Sequence, residues 1–286
     1  MIKVKKNNKL CFNAFSNISE FYNFLQKTPR RDGAEKSSEE KGNSSWNGTN
    51  SLEEAYDLLL SGDEDLYKKF QEQKDMTVDK MLGNIINKKK IKNDIVGFQP
   101  NVPNFLLGLP NDMINEIPKK VSQKILNIVL VMSVSSGVKA STLQSIGMKY
   151  TQVIDLLEKA GYRVNLYIGH AGEYQSEIDM CLIRIKTDRE PFNIKKCVFP
   201  IAHPSMFRRV MFRWIECCDV DKELTKGFFG GYGRPVSDKV VIEKTIENSL
   251  KNNFIIWNFQ NTNYQKVGVP KILEDLEKNY GIKIGE

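Results

Sequence analysis

The chain has 286 residues, of which 41% are hydrophobic and 27% charged, and its mean hydropathy is -0.41. These values are typical of a globular protein and exclude a fibrous, a bulk-disordered or a membrane-spanning chain. The 42 basic against 35 acidic residues give a net charge of +7, a mild bias toward polyanions such as nucleic acid.

The N-terminal region, residues 1–27, is predicted to form a short strand followed by a helix. Ser19 is a suitable N-cap, and Phe21 and Leu25 fall on one helical face together with Phe24. Residues 28–50 contain almost no apolar side chain before Trp46, so burial does not offset the entropy lost on ordering them. We therefore expect a flexible loop over 28–50.

The next region, residues 51–118, is predicted to be a helical and proline-rich arm. Ser51 and Glu54 form a capping box that opens a helix ending at Gly62. Two further helices are expected, at 64–73 and 78–87.

The arm continues with a segment from Ile95 to Pro118 that contains four prolines. Proline removes a backbone donor and moves the preceding residue out of the helical region, which excludes a continuous helix or a central strand. Its apolar residues, Phe105 among them, are expected to pack as an extended arm on this protein's own core or on a neighbouring subunit.

The last region, residues 119–286, alternates strand and helix patterns, which is typical of a mostly parallel sheet flanked by helices. The predicted elements are a strand at 125–132, a helix from Ala140 to Leu157, strands at 162–168 and 178–186, helices at 191–196, 204–217, 241–250 and 270–280, and a strand at 254–257. This pattern predicts an α/β core of the Rossmann-like kind, preceded by the N-terminal arm.

The turn after the first core strand is a candidate site, because open α/β sheets bind ligands beyond the carboxyl ends of their strands. The order of strand, long helix, strand and hairpin strand resembles the von Willebrand factor A fold, whose Asp-x-Ser-x-Ser turn holds a divalent metal. In one register Ser133 and Ser135 match the serines and Val131 replaces the aspartate; in the other, Met132 replaces it and only Ser136 matches. The carboxylate is absent, so the resemblance implies the fold with a degenerate metal site, and we expect no metal and no cofactor. The same turn can instead be a polar loop that caps the following helix.

Several short patterns are similar to an uncharacterised family of bacteriophage-encoded proteins with a domain of unknown function. They are Trp46–Ala55, Pro100–Gly108, Leu156–Val164, and Phe199–Pro204 leading to Arg208 and Arg209. The resemblance implies a viral origin and no established reaction.

The cellular compartment is predicted from the cysteines and from the N-terminus. Five cysteines without the close pairs of a disulfide framework favour a reducing compartment. The start of the chain lacks an apolar signal region, and the apolar stretch Ile125–Met132 is too short to span a bilayer. We expect a cytoplasmic protein, in the host cytoplasm if the origin is viral, with no membrane partner.

Basic residues form the candidate anion and nucleic-acid contacts: Lys88, Lys89, Lys90, His203, Arg208, Arg209 and Arg234. His203 and the two arginines could bind a phosphate at a helix N-terminus. Alternatively, the lysines complement the end of a helix, and His203 caps a helix while the arginines reach acidic neighbours.

Aromatic residues form the candidate partner contacts: Trp46, Phe105, Phe228, Phe229 and Tyr232. The last three lie in the glycine-rich loop Gly227–Pro235, which lacks the ending of a P-loop and does not follow a clear strand. They could stack on bases with Arg234 on phosphate, or pack in the core or against another subunit.

No zinc-ligand spacing and no catalytic constellation is visible in the sequence, so we assign no catalytic or metal-binding residue. We expect a non-enzymatic interaction protein of phage type that self-assembles or binds host or viral protein machinery, in counter-defence or replication. One alternative is a nucleic-acid-binding protein that uses the basic clusters. Another is a metal- or nucleotide-dependent phosphoesterase-like enzyme acting near Ser133 and His203.

Overall fold

The structure is a computed structural model. It describes residues 1–6, 10–34, 36–76, 90–117, 124–174, 177–217, 234–236, 239–250, 253–260 and 266–282. The predicted helix at 78–87, the residues Lys88 and Lys89, and most of the glycine-rich loop with Phe228, Phe229 and Tyr232 lie outside the described residues.

A seven-stranded sheet forms the centre of the molecule, in the order β1-β2-β8-β7-β6-β10 with β9 also paired to β7. Its strands are β1 Ile2–Lys6, β2 Leu10–Phe15, β6 Ile125–Val131, β7 Arg163–Tyr174, β8 Glu177–Lys186, β9 Arg234–Pro235 and β10 Ile255–Asn258. The pairs β6–β7, β6–β10 and β2–β8 are parallel, whereas β7–β8 is the predicted antiparallel hairpin. A separate small antiparallel sheet holds β3 Lys90–Asp94, β5 Met113–Ile117 and β4 Gln99–Pro100.

Helices cover both faces of the central sheet, which confirms the predicted α/β class. They are α1 Ile18–Lys27, α2 Ser44–Asn47, α3 Leu52–Ser61, α4 Glu64–Gln73, α5 Val102–Leu106, α6 Ala140–Lys159, α7 Ile194–Ala202, α8 Phe212–Cys217, α9 Lys239–Leu250 and α10 Val269–Tyr280. A π-helical turn at Met206–Met211 leads directly into α8. None of the helices in the described part of the chain has the length and apolar character needed to cross a membrane.

The carboxyl-terminal half of β6 is buried on both faces because the strand lies between β7 and β10 and is covered by two helical layers. Ile128 and Leu130 contact the layer that contains α6, whereas Val129 and Val131 contact the layer that contains α9. The sequence of a strand covered on both faces is a continuous run of apolar residues rather than an alternation of apolar and polar ones. This continuous run predicted the strand.

The capping box at Ser51 is confirmed. The Ser51 side chain accepts a hydrogen bond from the Glu54 N–H at 3.1 Å, and Glu54 accepts one from the Asn50 N–H at 2.7 Å. The apolar stripe of α3 is buried, and the helix ends at Gly62. The helix predicted at 64–73 has the same bounds in the structure.

Three boundaries differ from the sequence-based expectation. The N-terminal region forms a hairpin of two strands, and Asn17 rather than Ser19 caps α1. Strand β7 extends six residues beyond the predicted end at 168, since β8 pairs with it from Leu166 to Tyr174. The helix expected at 191–196 is α7, which includes Pro200.

The segment 28–50, expected to be a flexible loop, makes defined contacts in the structure. Its own side chains bury little, but charged groups from the helical layer bind it. The buried carboxylate of Glu216 accepts hydrogen bonds from the Ser38 N–H at 2.9 Å, the Ser38 hydroxyl at 2.7 Å and Arg30 Nε at 2.6 Å. These contacts offset an ordering entropy that the segment's own composition cannot offset.

In its described residues the proline-rich segment contains β4, β5 and the short helix α5, with no long helix and no central strand. There β5 pairs with β4 and with β3, which precedes the segment. Eight of its large apolar side chains are exposed, whereas the sequence predicts that they pack on this protein's own core or on a neighbouring subunit.

Candidate functional site

The carboxyl end of β6 is the place where the sheet's connections change direction. Strand β6 is parallel to β7 on one side and to β10 on the other. The helix α6, which leads to β7, packs on one face of the sheet, and α9, which leads to β10, packs on the opposite face. Ligands of open α/β sheets bind outside the strands' carboxyl ends at such a point, so the loop after β6 is the candidate site.

A hydrogen-bonded relay of three side chains lies at this end of the sheet. The Ser133 Oγ is 3.0 Å from His170 Nδ1, and His170 Nε2 is 2.9 Å from Asp179 Oδ2. The Asp179 carboxylate accepts a hydrogen bond from Nε2–H, which leaves Nδ1 to accept one from the serine hydroxyl. The Ser133 Oγ also accepts a hydrogen bond from the Ala171 N–H at 2.8 Å.

The hairpin of β7 and β8 fixes the geometry of this relay. His170 is on β7 and Asp179 is on β8, and Gly172 on β7 is paired with Asp179. A Cβ on Gly172 would lie 2.4 Å from Asp179 Oδ1. Glycine at this position therefore leaves the space in which the carboxylate lies.

The relay is almost enclosed. Ser133, His170 and Asp179 are 5%, 8% and 4% exposed. The Trp214 ring lies 6.0 Å from the His170 ring, and its Nε1 donates to Asn13 Oδ1 at 3.1 Å. Polar groups at this depth are stable only when their hydrogen bonds are made, as they are here.

The rest of the predicted turn is held by residues from distant segments. Trp46 Nε1 donates to the Ser136 carbonyl at 3.0 Å, and the Ser135 N–H donates to Gln260 Oε1 at 2.9 Å. The Arg208 guanidinium lies 4.3 Å from the Trp46 ring and donates to the carbonyl of Trp46 at 2.6 Å and to that of Val138 at 2.5 Å. The structure thus brings Trp46, Arg208 and the serine turn together, although Ser135 and Ser136 remain exposed.

Two of the other predicted anion contacts, Arg209 and His203, do not present free cationic groups. Arg209 is fully buried and donates to backbone carbonyls of the segment 38–49. His203 caps α7, stacks on Phe199 at 4.8 Å and lies 3.8 Å from Asp63. Burial lowers the pKa of His203 to about 4, so the ring is neutral at pH 7. Arg234 is exposed, and the side chain of Lys90 lies outside the described residues.

No group of three or more histidine, cysteine, aspartate or glutamate side chains in the described ranges is close enough to hold a metal ion. The cysteines in these ranges, Cys11, Cys181, Cys197 and Cys217, are buried and form no disulfide bonds. Burial raises the pKa of the Cys197 thiol to about 12, so it is not an activated nucleophile.

The arm presents the second candidate surface. Its tip, which we define as residues 95–111, contains no charged side chain. Eight large apolar side chains of the tip are between 46% and 77% exposed: Ile95, Val96, Phe98, Val102, Phe105, Leu106, Leu107 and Leu109. Phe105, a predicted partner contact, is 64% exposed.

Asparagines fix the shape of the tip. The Asn101 side chain accepts from the Asn104 N–H to cap α5 and donates to Asn93 Oδ1 at 3.1 Å. Asn104 Nδ2 donates to the Asn111 carbonyl at 2.9 Å. Polar side chains thus order the backbone while the apolar ones face outward.

Comparison with known proteins gives one match. The family described as Domain of unknown function (DUF7192) matches residues 3–280. No curated protein matches the chain, and no solved structure matches it. Nothing in these comparisons indicates catalysis. Since the match covers nearly the whole chain, the protein belongs to the family Domain of unknown function (DUF7192).

Proposed function

We propose that this protein is an interaction protein that assembles with a second copy of itself through the tip of the arm. The observation that carries the proposal is the set of eight exposed apolar side chains in an uncharged segment. A contiguous apolar patch larger than a few hundred Å² is uncommon on a monomeric protein and marks an interaction surface.

The tip of a second copy of this chain is the partner that fits this apolar surface best. The other large apolar side chains that are exposed in the described ranges lie singly or in a pair on separate elements: Met1, Ile2, Leu60, Met76, Ile125 and Tyr280. Among these residues only another tip offers an apolar patch of equal size. Pairing identical patches about a two-fold axis gives a closed dimer, the commonest symmetric assembly.

The energetics favour such pairing. Full burial of a large apolar side chain contributes roughly 1.5–3 kcal/mol, and the tip has eight of them on each copy. The asparagine contacts of Asn101 and Asn104 already order the tip, so less entropy is lost on binding than for a flexible segment.

Sedimentation of the purified chain tests the proposal. The wild type should form dimers with rising concentration, and Phe105→Glu with Leu107→Glu should raise the dissociation constant at least ~100-fold, because two charges would be desolvated at the contact. Leu60→Glu, at an exposed apolar residue of α3, is the matched control and should leave it unchanged. A wild type that stays monomeric at all concentrations would overturn self-assembly.

The proposal also includes the fold family, the origin, the partners and the compartment that the sequence predicts. The order of β6, α6, β7, the antiparallel β8 and β10 supports a core like that of the von Willebrand factor A fold. A bacteriophage origin, binding of host or viral machinery, and a role in counter-defence or replication rest on the sequence patterns alone. The buried cysteines of the described ranges, which form no disulfide bonds, support a reducing compartment such as the cytoplasm.

A further inference from the structure

We propose that Ser133, His170 and Asp179 form a serine nucleophile, its base and the carboxylate that positions the base, in a site that takes the acyl group of an ester. This inference goes beyond self-assembly and does not depend on it. It rests on the relay at the carboxyl end of β6.

The mutual geometry of the three side chains is that required of a nucleophile, a base and an orienting group. The two hydrogen bonds, 3.0 Å and 2.9 Å long, lie in the range expected for such a set. A catalytic triad is recognised by geometry and roles rather than by spacing along the chain, and the arrangement recurs on unrelated folds. Here Nδ1 of the ring faces the serine and Nε2 faces the carboxylate.

The position of the relay also favours a ligand site. It lies at the point where the connections from β6 and to β10 pack on opposite faces of the sheet, which is where α/β proteins bind ligands. Seating Asp179 requires a glycine at position 172. A buried imidazole and carboxylate are costly groups to place where packing alone would suffice.

The chemistry follows from the three roles. The Ser133 Oγ forms a bond to the carbonyl carbon of the ester while its proton moves to His170 Nδ1 and the π electrons of the C=O bond move to the carbonyl oxygen. The Ala171 N–H, which donates to Oγ at 2.8 Å, holds the hydroxyl in place. As the carbonyl re-forms, the electron pair returns from that oxygen. The ester C–O bond then breaks, and the leaving alkoxide takes the proton from His170. Water attacks the acyl group, gives its proton to His170, and the acid leaves as Ser133 regains that proton. The products are a carboxylic acid and an alcohol.

A fluorophosphonate probe, which phosphonylates activated serines, tests the proposal on the full chain by intact mass. We expect one adduct per chain, and peptide mapping should place it on Ser133. Ser133→Ala should abolish labelling and His170→Gln should slow it at least ~100-fold. Ser141→Ala, at an exposed serine of α6, is the matched control and should label like the wild type.

Asp179 acts through His170, so its test needs a readout that stability alone does not change. The pH profile of the labelling rate is that readout, and it is measured first for the wild type. Asp179→Asn should lower the rate and alter this profile in folded protein, as judged by circular dichroism. The proposal is overturned if the folded wild type gains no adduct while an authentic serine hydrolase in the same tube is labelled, or if the adduct maps elsewhere. A wild-type chain that dimerises without labelling would remove the hydrolytic site and leave self-assembly standing.

Discussion

Arg209 joins the helical layer to the segment 28–50. Its Nη1 donates to the carbonyls of Ser38 at 3.1 Å and Glu40 at 2.8 Å, and its Nη2 donates to those of Gly42 at 3.3 Å and Thr49 at 3.0 Å. Arg209→Met keeps the apolar stem but removes every donor, and we expect it to lower the free energy of unfolding by about 3–5 kcal/mol in urea titrations.

The control for this prediction is Arg163→Met. Arg163 is 39% exposed at its side chain and lies 3.6 Å from Glu158, so its loss should change the free energy of unfolding by less than about 1 kcal/mol. Equal effects of the two substitutions would mean that the carbonyl contacts of Arg209 do not order the segment.

His203 gives the protein a defined pH dependence. Burial lowers its pKa from 6.5 to about 4, against the opposing charges of Asp63 and Glu54. The unfolded chain therefore binds a proton near pH 6.5 that the folded chain does not bind until about pH 4. The contribution of His203 to stability is complete above pH 6.5 and falls by about 3 kcal/mol between pH 6.5 and 4.

His203→Asn isolates this effect, because Asn can still accept the hydrogen bond that His203 Nδ1 accepts from the Ser205 N–H. The variant should show a smaller loss of unfolding free energy than the wild type when urea titrations at pH 7 and pH 4.5 are compared. Parallel stability profiles over this range would contradict a buried, neutral His203.

The sequence placed His203, Arg208 and Arg209 together but could not assign their partners. Arg209 donates to carbonyls between Ser38 and Thr49, and Arg208 donates to those of Trp46 and Val138. These carbonyls are distant from the two arginines along the chain. For the same reason the sequence drew attention to Ser133 but missed His170 and Asp179. Their spacing matches no motif, and only the antiparallel pairing of β7 with β8 brings them together.

At the scale of the elements, α6 and α7 pack with almost no gap. A Cβ on Gly147 of α6 would lie 2.5 Å from the Cα of Ala202 and 2.6 Å from the Ile201 carbonyl oxygen. Alanine favours a helix over glycine by about 1 kcal/mol, but here the backbones would have to separate. We expect Gly147→Ala to destabilise the protein by about 1–3 kcal/mol in thermal or urea unfolding.

Gly137→Ala is the matched control, since a Cβ there meets no atom within 4 Å and the backbone is not left-handed. It should be neutral or slightly stabilising. A neutral Gly147→Ala would show that the two helices can move apart at little cost.

Two elements with strong local signals agreed with their predictions, whereas several strand ends that depend on pairing did not. The cap at Ser51 and the apolar run of β6 are local, and both are present. The ends of β7 and the second N-terminal strand depend on partners that follow much later in the chain. The prolines of the arm correctly excluded a long helix, but exposure of the tip depends on what the core leaves uncovered.

At the scale of the whole molecule, the chain combines an α/β core with an arm whose tip is apolar and uncharged, as a protein interior usually is. In the core, the carboxylate of Glu216 and the side chains of the Ser133 relay form hydrogen bonds within the chain. The tip instead leaves its apolar side chains exposed. This difference is the reason for proposing that the protein interacts through the arm.

Cross-linking of the tips in solution tests this assignment most directly. Leu107→Cys places a thiol at a side chain that is 74% exposed, and a short bismaleimide can join two such thiols only if the tips of two copies meet. We predict a covalent dimer linked at position 107 in both copies, absent from the wild type and from Leu60→Cys. Equal cross-linking of Leu60→Cys, or no dimer from Leu107→Cys, would contradict assembly through the arm.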